Sequence, residues 1–184
     1  NTIVTTTQST SSAGAAIYLT STATGTELKN NNVVARNSGY LLYNVSSGMS
    51  AGAIDNNNWY SASTFRVYDS GTYSSLAAWQ LAKSNENQSS VSVDPHFIGT
   101  DDFHASSRYL MNGGANVGIA MDFDGETRHG KNPDIGADEM SKDMTMSVIT
   151  YPLTACRSIG DMDSVTIVFE NTGLSSFTQG ATLY

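Results

Sequence analysis

The chain has 184 residues, of which 39% are hydrophobic and only 14% charged, against about 25% charged in typical globular domains. Nine Lys and Arg face 17 Asp and Glu, giving a net charge of -8 and a pI of about 4.6. That balance argues against nucleic-acid binding, which needs clustered cations to release counterions from phosphates, and against an anionic membrane surface. Ser, Thr, Asn and Gly supply the polarity instead, a surface that suits an extracellular all-β protein.

The chain opens at Asn1-Thr2-Ile3-Val4 in what reads as the middle of a repeat. No signal peptide or membrane span is apparent, and both ends are expected to be cut. Leu28-Lys29-Asn30-Asn31-Asn32-Val33-Val34 aligns with Ile54-Asp55-Asn56-Asn57-Asn58-Trp59-Tyr60 at an offset of 26. Gly14-Ala15-Ala16-Ile17-Tyr18 aligns with Gly39-Tyr40-Leu41-Leu42-Tyr43 at an offset of 25. A period in the mid-twenties with short β-rich runs and polar turns is the pattern of a β-solenoid. The repeated asparagines are expected to hold turns and form ladders. Tyr18, Leu19, Val33, Val34, Leu41, Leu42 and Trp59 are expected on inward or stacked faces.

After Tyr60 the repeat is interrupted. Residues 74–83, Ser-Ser-Leu-Ala-Ala-Trp-Gln-Leu-Ala-Lys, form the one convincing helical stretch, capped by Ser74 or Ser75 and presenting Leu76, Trp79, Ala82 and Lys83 at helical spacing. Residues 89–94 alternate as a strand before Pro95. From Met144 the texture changes to strands expected at 146–149, 164–170 and 181–184, with a turn at Asn171-Thr172-Gly173. Cys156 is the single cysteine. A buried small apolar role is favoured for it, with a disulfide partner beyond Tyr184 as the alternative.

The ordered set Ser75-Leu76-Ala77-Ala78-Trp79-Gln80, Asp94-Pro95-His96-Phe97, Asp102-Phe103-His104, Asp122-Phe123-Asp124-Gly125-Glu126-Thr127-Arg128 and Pro133-Asp134-Ile135-Gly136-Ala137-Asp138-Glu139 resembles the C-terminal end of right-handed parallel β-helix proteins of the choice-of-anchor Q domain family. One stretch departs from the family: Ser107-Arg108-Tyr109-Leu110-Met111-Asn112-Gly113-Gly114 stands where a Ser-Pro-Ala-Ile-Asp-like run is usual. The segment Val165-Thr166-Ile167-Val168-Phe169-Glu170-Asn171-Thr172-Gly173 is similar to the start of immunoglobulin-like cell-adhesion modules. Such modules often follow β-helices in surface proteins of gliding, type IX-secreting bacteria.

The resemblance therefore implies an all-β chain. Residues 1–140 would be terminal coils and cap of a right-handed parallel β-helix with one short helix. Residues 141–184 would be a partial β-sandwich, either truncated or completed by a strand from a neighbouring chain or domain. The implied role is a non-catalytic structural or adhesive segment at the bacterial cell surface, with a carbohydrate or cell-surface partner and no membrane insertion. The alternative is the end of a polysaccharide lyase or glycoside hydrolase whose catalytic coils lie upstream. Residues 94–139 would cover the terminal strand edge, which would otherwise invite aggregation.

Several residues invite chemistry. Asp122, Asp124 and Glu126 alternate around Gly125, and with Asp134 they form a candidate Ca²⁺ set, although the EF-hand pattern is absent. The competing reading pairs Arg128 with Asp122, Asp124 or Asp134 to lock the loops, with Asp138 and Glu139 close by. His96, His104 and His129 fit no zinc spacing, so His104 is expected to pack or hydrogen-bond. Tyr40, Tyr43, Trp59 and Tyr60, with Tyr68 and Tyr73, form a candidate sugar-stacking platform that suits internal stacking equally well. Lys29 and Asp55 occupy one repeat position. A solvated ion pair is favoured there over the base and carboxylate of a lyase or hydrolase.

Overall fold

Runs of β-branched and aromatic residues only two to four long cannot bury a face alone, so each finds its partner one repeat away. A computed structural model of the chain describes residues 1–140, 144–151 and 166–171. Among these the structure is mostly strand with one short helix, an all-β chain. It divides into two units, Asn1–Glu139 and Met140–Tyr184.

The first unit runs through β1 (Thr2–Thr5), β2 (Ile17–Leu19), β3 (Leu28–Lys29), β4 (Asn32–Ala35), β5 (Leu42–Asn44), β6 (Ile54–Asp55), β7 (Asn58–Ser61), β8 (Val67–Asp69), β9 (Thr72–Tyr73) and helix α1 (Leu76–Ala82). Three sheets are built by parallel pairing, in the orders β1-β4-β7, β2-β5-β8 and β3-β6. Only β9 turns back, pairing antiparallel with β8. Asn32 stands beside Asn58 at a step of 26, and Asn44 beside Asp69 at a step of 25. The first step is longer: Asn1 lies beside Asn31, 30 residues on. The loop between β1 and β2 carries an additional 3₁₀ turn at Ser12–Gly14, which takes up the difference.

This register stacks like on like. Ile3, Val33 and Trp59 form one column, Ile17, Leu42 and Val67 a second, and Leu28 and Ile54 a third. Val33, Leu41, Leu42, Ile54, Trp59 and Val67 have no solvent exposure, and with Trp79 they form the core. At the corner before β4 and β7, Asn30 and Asn56 take the left-handed conformation (φ 57° and 54°), and Asn87, whose N–H donates to the Ile54 carbonyl, does so too (φ 57°). Asn is the non-glycine residue that tolerates this region best.

Helix α1 is capped by the Ser75 hydroxyl, which accepts from the Ala78 N–H at 3.1 Å. Seven residues cannot hold a helix in water, and packing sustains it: Leu76 and Trp79 are buried, and the Trp79 ring meets Trp59 edge to face at 5.5 Å. Ala82 and Leu81 are exposed, so the buried face is shorter than the spacing predicts.

Residues 87–93 then run along β7 as a further parallel pass. The Val91 N–H donates to the Asn57 carbonyl at 2.8 Å, and the Trp59 N–H to the Val91 carbonyl at 2.9 Å. The strand expected over 89–94 is only a bridge at Val91. The reason is that the Asn58 side chain, not a backbone neighbour, takes both the N–H and the carbonyl of Val93, each at 2.9 Å.

Residues 113–137 lie against the turns before β4 and β7 and against β1. Asn56 donates to the Gly113 carbonyl at 3.0 Å, Asn30 bonds the backbone of Ala115 in both directions, and the Gly136 N–H donates to the Asn30 carbonyl. The Ala137 N–H reaches the Thr2 hydroxyl at 3.1 Å. Gly136 (φ 127°) is a position where a side chain would meet Thr2 and Asn32 at 3.3 and 3.4 Å. These residues therefore strap the side of the stack. In the second unit, β10 (Met144–Tyr151) and β11 (Thr166–Asn171) pair antiparallel, with register shifts after Met146 and after Ile149. These strands contain most of the expected 146–149 and 164–170 runs. The run at 181–184, Thr172, Gly173 and Cys156 lie outside the described residues.

Candidate functional site

Three loops of the strap converge on His104. Asp102 and His104 share a turn in which the Asp102 carboxylate accepts from the His104 N–H at 3.1 Å and also bonds His104 Nδ1. The second ring nitrogen, Nε2, meets Asp124 Oδ2 at 2.8 Å. With a carboxylate on each side, first Asp102 and then Asp124, the imidazole is held up at about 9 and is a cation at neutral pH. The same bond holds the Asp102 carboxyl below its ordinary range. Asp138 approaches from the third loop. Burial, together with the neighbouring Asp122 and Asp124, raises its pKa, while His104 and the Ala105 N–H oppose the rise. One ligand atom each from His104, Asp124 and Asp138 lies within 4.8 Å of the others.

The turn that presents Asp124 is built by Asp122. Its Oδ1 accepts from the N–H groups of Asp124 (3.0 Å) and Glu126 (2.8 Å), and Gly125 supplies the left-handed step at φ 84°. Its Oδ2 accepts from the Glu139 N–H at 3.0 Å. Asp134 is wholly buried and accepts from the Asn112 N–H at 2.7 Å. The expected set Asp122, Asp124, Glu126 and Asp134 is thus not assembled. Only Asp124 joins a convergent group among the described residues, because backbone N–H groups occupy the carboxylates of Asp122 and Asp134.

Arg128 likewise has a different partner from the one expected. Its guanidinium meets buried Glu139 at 3.4 Å and donates to the carbonyls of Asp134 (3.1 Å) and Gly136 (2.7 Å). Glu139 also accepts from the N–H groups of His129 and Asp134, at 2.9 and 3.0 Å. This buried hub holds the ends of two loops, and one of them carries Asp138.

The aromatic residues do not form a platform. Trp59 has no exposure, and its Nε1–H donates to Asn87 Oδ1 at 2.8 Å. Tyr43 is stacked on both faces, by Tyr18 at 5.8 Å and Tyr68 at 4.5 Å, with Tyr40 edge-on at 5.1 Å. No ring face of Tyr43 is left for a sugar. The Tyr60 hydroxyl donates to Asp94 at 3.0 Å, and burial followed by Asp94 raises its pKa. Lys29 and Asp55 are neighbours in register, but Lys29 pairs with Glu27 at 3.3 Å. Asp55 accepts from the N–H groups of Asn56 and Ser89 at 2.9 and 2.8 Å.

Sequence spacing did not reveal the His104 group, since its members come from separate loops with no period between them. The available signal was local: Asp102 and His104, like Asp122 and Asp124, are two residues apart, the spacing at which an Asp side chain caps its own turn. A cavity of about 580 Å³ also opens beside the strap, lined in part by Lys29, Val117, Ile119, Met121, Phe123 and Arg128. No helix of the described residues is long and apolar enough to cross a membrane. Comparison with protein-family models, with curated proteins and with solved structures found no match.

Proposed function

We propose that the chain is the closing part of a right-handed parallel β-helix, serving as a structural or adhesive segment of a secreted bacterial surface protein. The observation that carries this reading is the parallel pairing of β1-β4-β7, β2-β5-β8 and β3-β6, in which residues 25 or 26 apart repeatedly lie side by side. Parallel crossovers in one sheet are right-handed in about 98% of cases, which supports the right hand. The strap suits a helix end, because it ties successive rounds through Asn30, Asn56 and Thr2. Pairing of β10 with β11 suits the opening of an adhesion module, and the weakly charged, Ser-, Thr- and Asn-rich composition suits an extracellular surface.

A Cys156→Ser background carrying Tyr18→Cys and Tyr43→Cys tests the stacking. The two positions pair in register, and neighbouring strands lie about 4.8 Å apart, within disulfide reach. Oxidation should join them, whereas Tyr18→Cys with Tyr68→Cys, two rounds apart, should stay reduced. Equal oxidation of both pairs would refute the coil. The role is tested by coating the intact protein on beads and measuring attachment to cells and to immobilised polysaccharides. Release of unsaturated sugars from a soluble polysaccharide would replace the structural reading with a lyase.

A further inference from the structure

We propose that His104, Asp124 and Asp138 bind a divalent first-row transition cation, Zn²⁺ foremost. The ligand atoms already lie within 4.8 Å of one another, and the Nε2–Asp124 edge is 2.8 Å. Donor atoms around one zinc sit about 2.0–2.2 Å from the ion, so their mutual separations are of order 3 Å, and a small inward shift of Asp138 completes the set. One imidazole and two carboxylates make a ligand set for zinc and its neighbours, not for Ca²⁺, which takes 6–8 oxygens.

The surroundings supply what such a set requires. Asp102 holds Nδ1, so the nitrogen directed at Asp124 is Nε2. A carboxylate on the far nitrogen is the usual partner of a metal-bound histidine, fixing its tautomer and raising its basicity. Asp122 and Asp124 both place negative charge against Asp138, which a dication relieves more fully than one imidazolium does. Asp122 does not compete as a ligand, because the N–H groups of Asp124, Glu126 and Glu139 occupy it. On binding, the Nε2 proton leaves to solvent and the freed lone pair goes to the ion. The charge of the site thus rises by one, and no redox change is involved. Three protein ligands leave a fourth position open to water or to a donor from another molecule. The ion would fasten the 102–105, 122–126 and 138–139 loops together.

The test is isothermal titration of the chelator-treated chain, in a Cys156→Ser background, with Zn²⁺, Ca²⁺ and Mg²⁺, and with Co²⁺ followed by its visible spectrum. One Zn²⁺ per chain is expected, with at least a hundredfold preference over Ca²⁺. His104→Gln and Asp138→Asn should each weaken Zn²⁺ binding tenfold or more, and Glu126→Gln should leave it unchanged. Co²⁺ bound to the parent chain should show an absorption band that His104→Gln abolishes while its urea unfolding still shows a folded chain. No zinc binding, equal affinity for Ca²⁺, or zinc binding lost with His96→Gln/His129→Gln but kept with His104→Gln would overturn the proposal.

Discussion

Asn31 lies directly beside Asn57, and its side-chain amide donates to Asn57 Oδ1 at 2.9 Å while its own Oδ1 accepts from the Asn1 amide at 3.0 Å. The same Asn57 oxygen also receives the Asn31 backbone N–H at 2.9 Å. The Asn57 amide donates to the carbonyls of Leu28 and Asp55 at 2.7 and 3.0 Å. One buried side chain therefore satisfies groups on two neighbouring segments of the chain, and neither segment could make these bonds alone.

Asn57→Ala should consequently cost far more than the loss of one side-chain bond. It leaves the buried Asn31 N–H without its acceptor, at about 1–3 kcal/mol for an orphaned group, and it also removes the amide that donates to the Leu28 and Asp55 carbonyls and the acceptor of the Asn31 side chain. A loss of about 3–5 kcal/mol in urea unfolding is expected. Asn57→Asp keeps the acceptor but loses the donor, so it should fall between Ala and the parent. If Asn57→Ala unfolds at the parent's urea midpoint, the ladder does not hold the rounds together.

Arg128 and Glu139 make a second hub whose removal is asymmetric. Their side chains are 8% and 1% exposed, and breaking a buried pair by deleting one partner costs about 3–5 kcal/mol. Glu139→Ala should be the worse variant, because it also orphans the N–H groups of His129 and Asp134. Glu139→Gln keeps an acceptor for those donors but leaves the guanidinium unneutralised, so it should lie between Ala and the parent. Thermal unfolding of the three chains orders them.

What was legible in the sequence follows from what repeats. Leu28 with Ile54 and Ile17 with Leu42 pair as their offsets of 26 and 25 imply, because parallel strands paired in register place like residues side by side. The first round escaped that register because the loop after β1 carries its own 3₁₀ turn. Trp59 illustrates a second limit. It shares a column with Ile3 and Val33 and lies inward as its repeat position implies, but aromatic residues at repeat positions suit a sugar-stacking platform equally well, so residue type alone does not choose between the two. The His104 group was illegible for a third reason: side chains from three irregular loops meet only once the strap has folded across the rounds.

The charge on His104 gives stability a pH dependence of known sign in chelator-treated protein. Its ordinary value is 6.5 and its folded value about 9, because Asp102 and Asp124 hold the imidazolium. The contribution is complete below pH 6.5 and is lost as pH rises to about 9. The Asn1 α-amino group works in the opposite sense, since burial and then Arg128 lower its pKa. Asp102 moves away from this window, since the His104 bond holds its carboxyl below the ordinary range. The difference in urea midpoint between the parent and His104→Gln should therefore shrink from pH 6 to pH 9.5. A difference that stays constant would mean that the His104 pKa is the same in the folded and the unfolded chain.

Trp79 separates packing from hydrogen bonding at the helix. Its ring meets Trp59 at 5.5 Å and lies near-parallel to Tyr73 at 6.3 Å, while its Nε1–H donates to buried Asp69 at 3.0 Å. Asp69 also accepts from Asn44 at 2.9 Å and pairs with Lys83 at 3.5 Å. Trp79→Phe keeps an aromatic ring against its neighbours and removes the N–H, so the cost should be about 1.5–3 kcal/mol, the worth of a bond to a charged group. Trp79→Ala also opens a cavity in the core, and about 3–5 kcal/mol is typical of that change. Because Leu76 is the helix's one other buried side chain, the Ala variant should also lose the helical signal of residues 76–82. Hydrogen exchange at the Lys83 N–H, which donates to the Trp79 carbonyl at 2.9 Å, reads that loss directly. Exchange should become fast in Trp79→Ala and stay slow in Trp79→Phe. Fast exchange in both would mean that the Asp69 bond, and not the ring packing, keeps α1 on the stack.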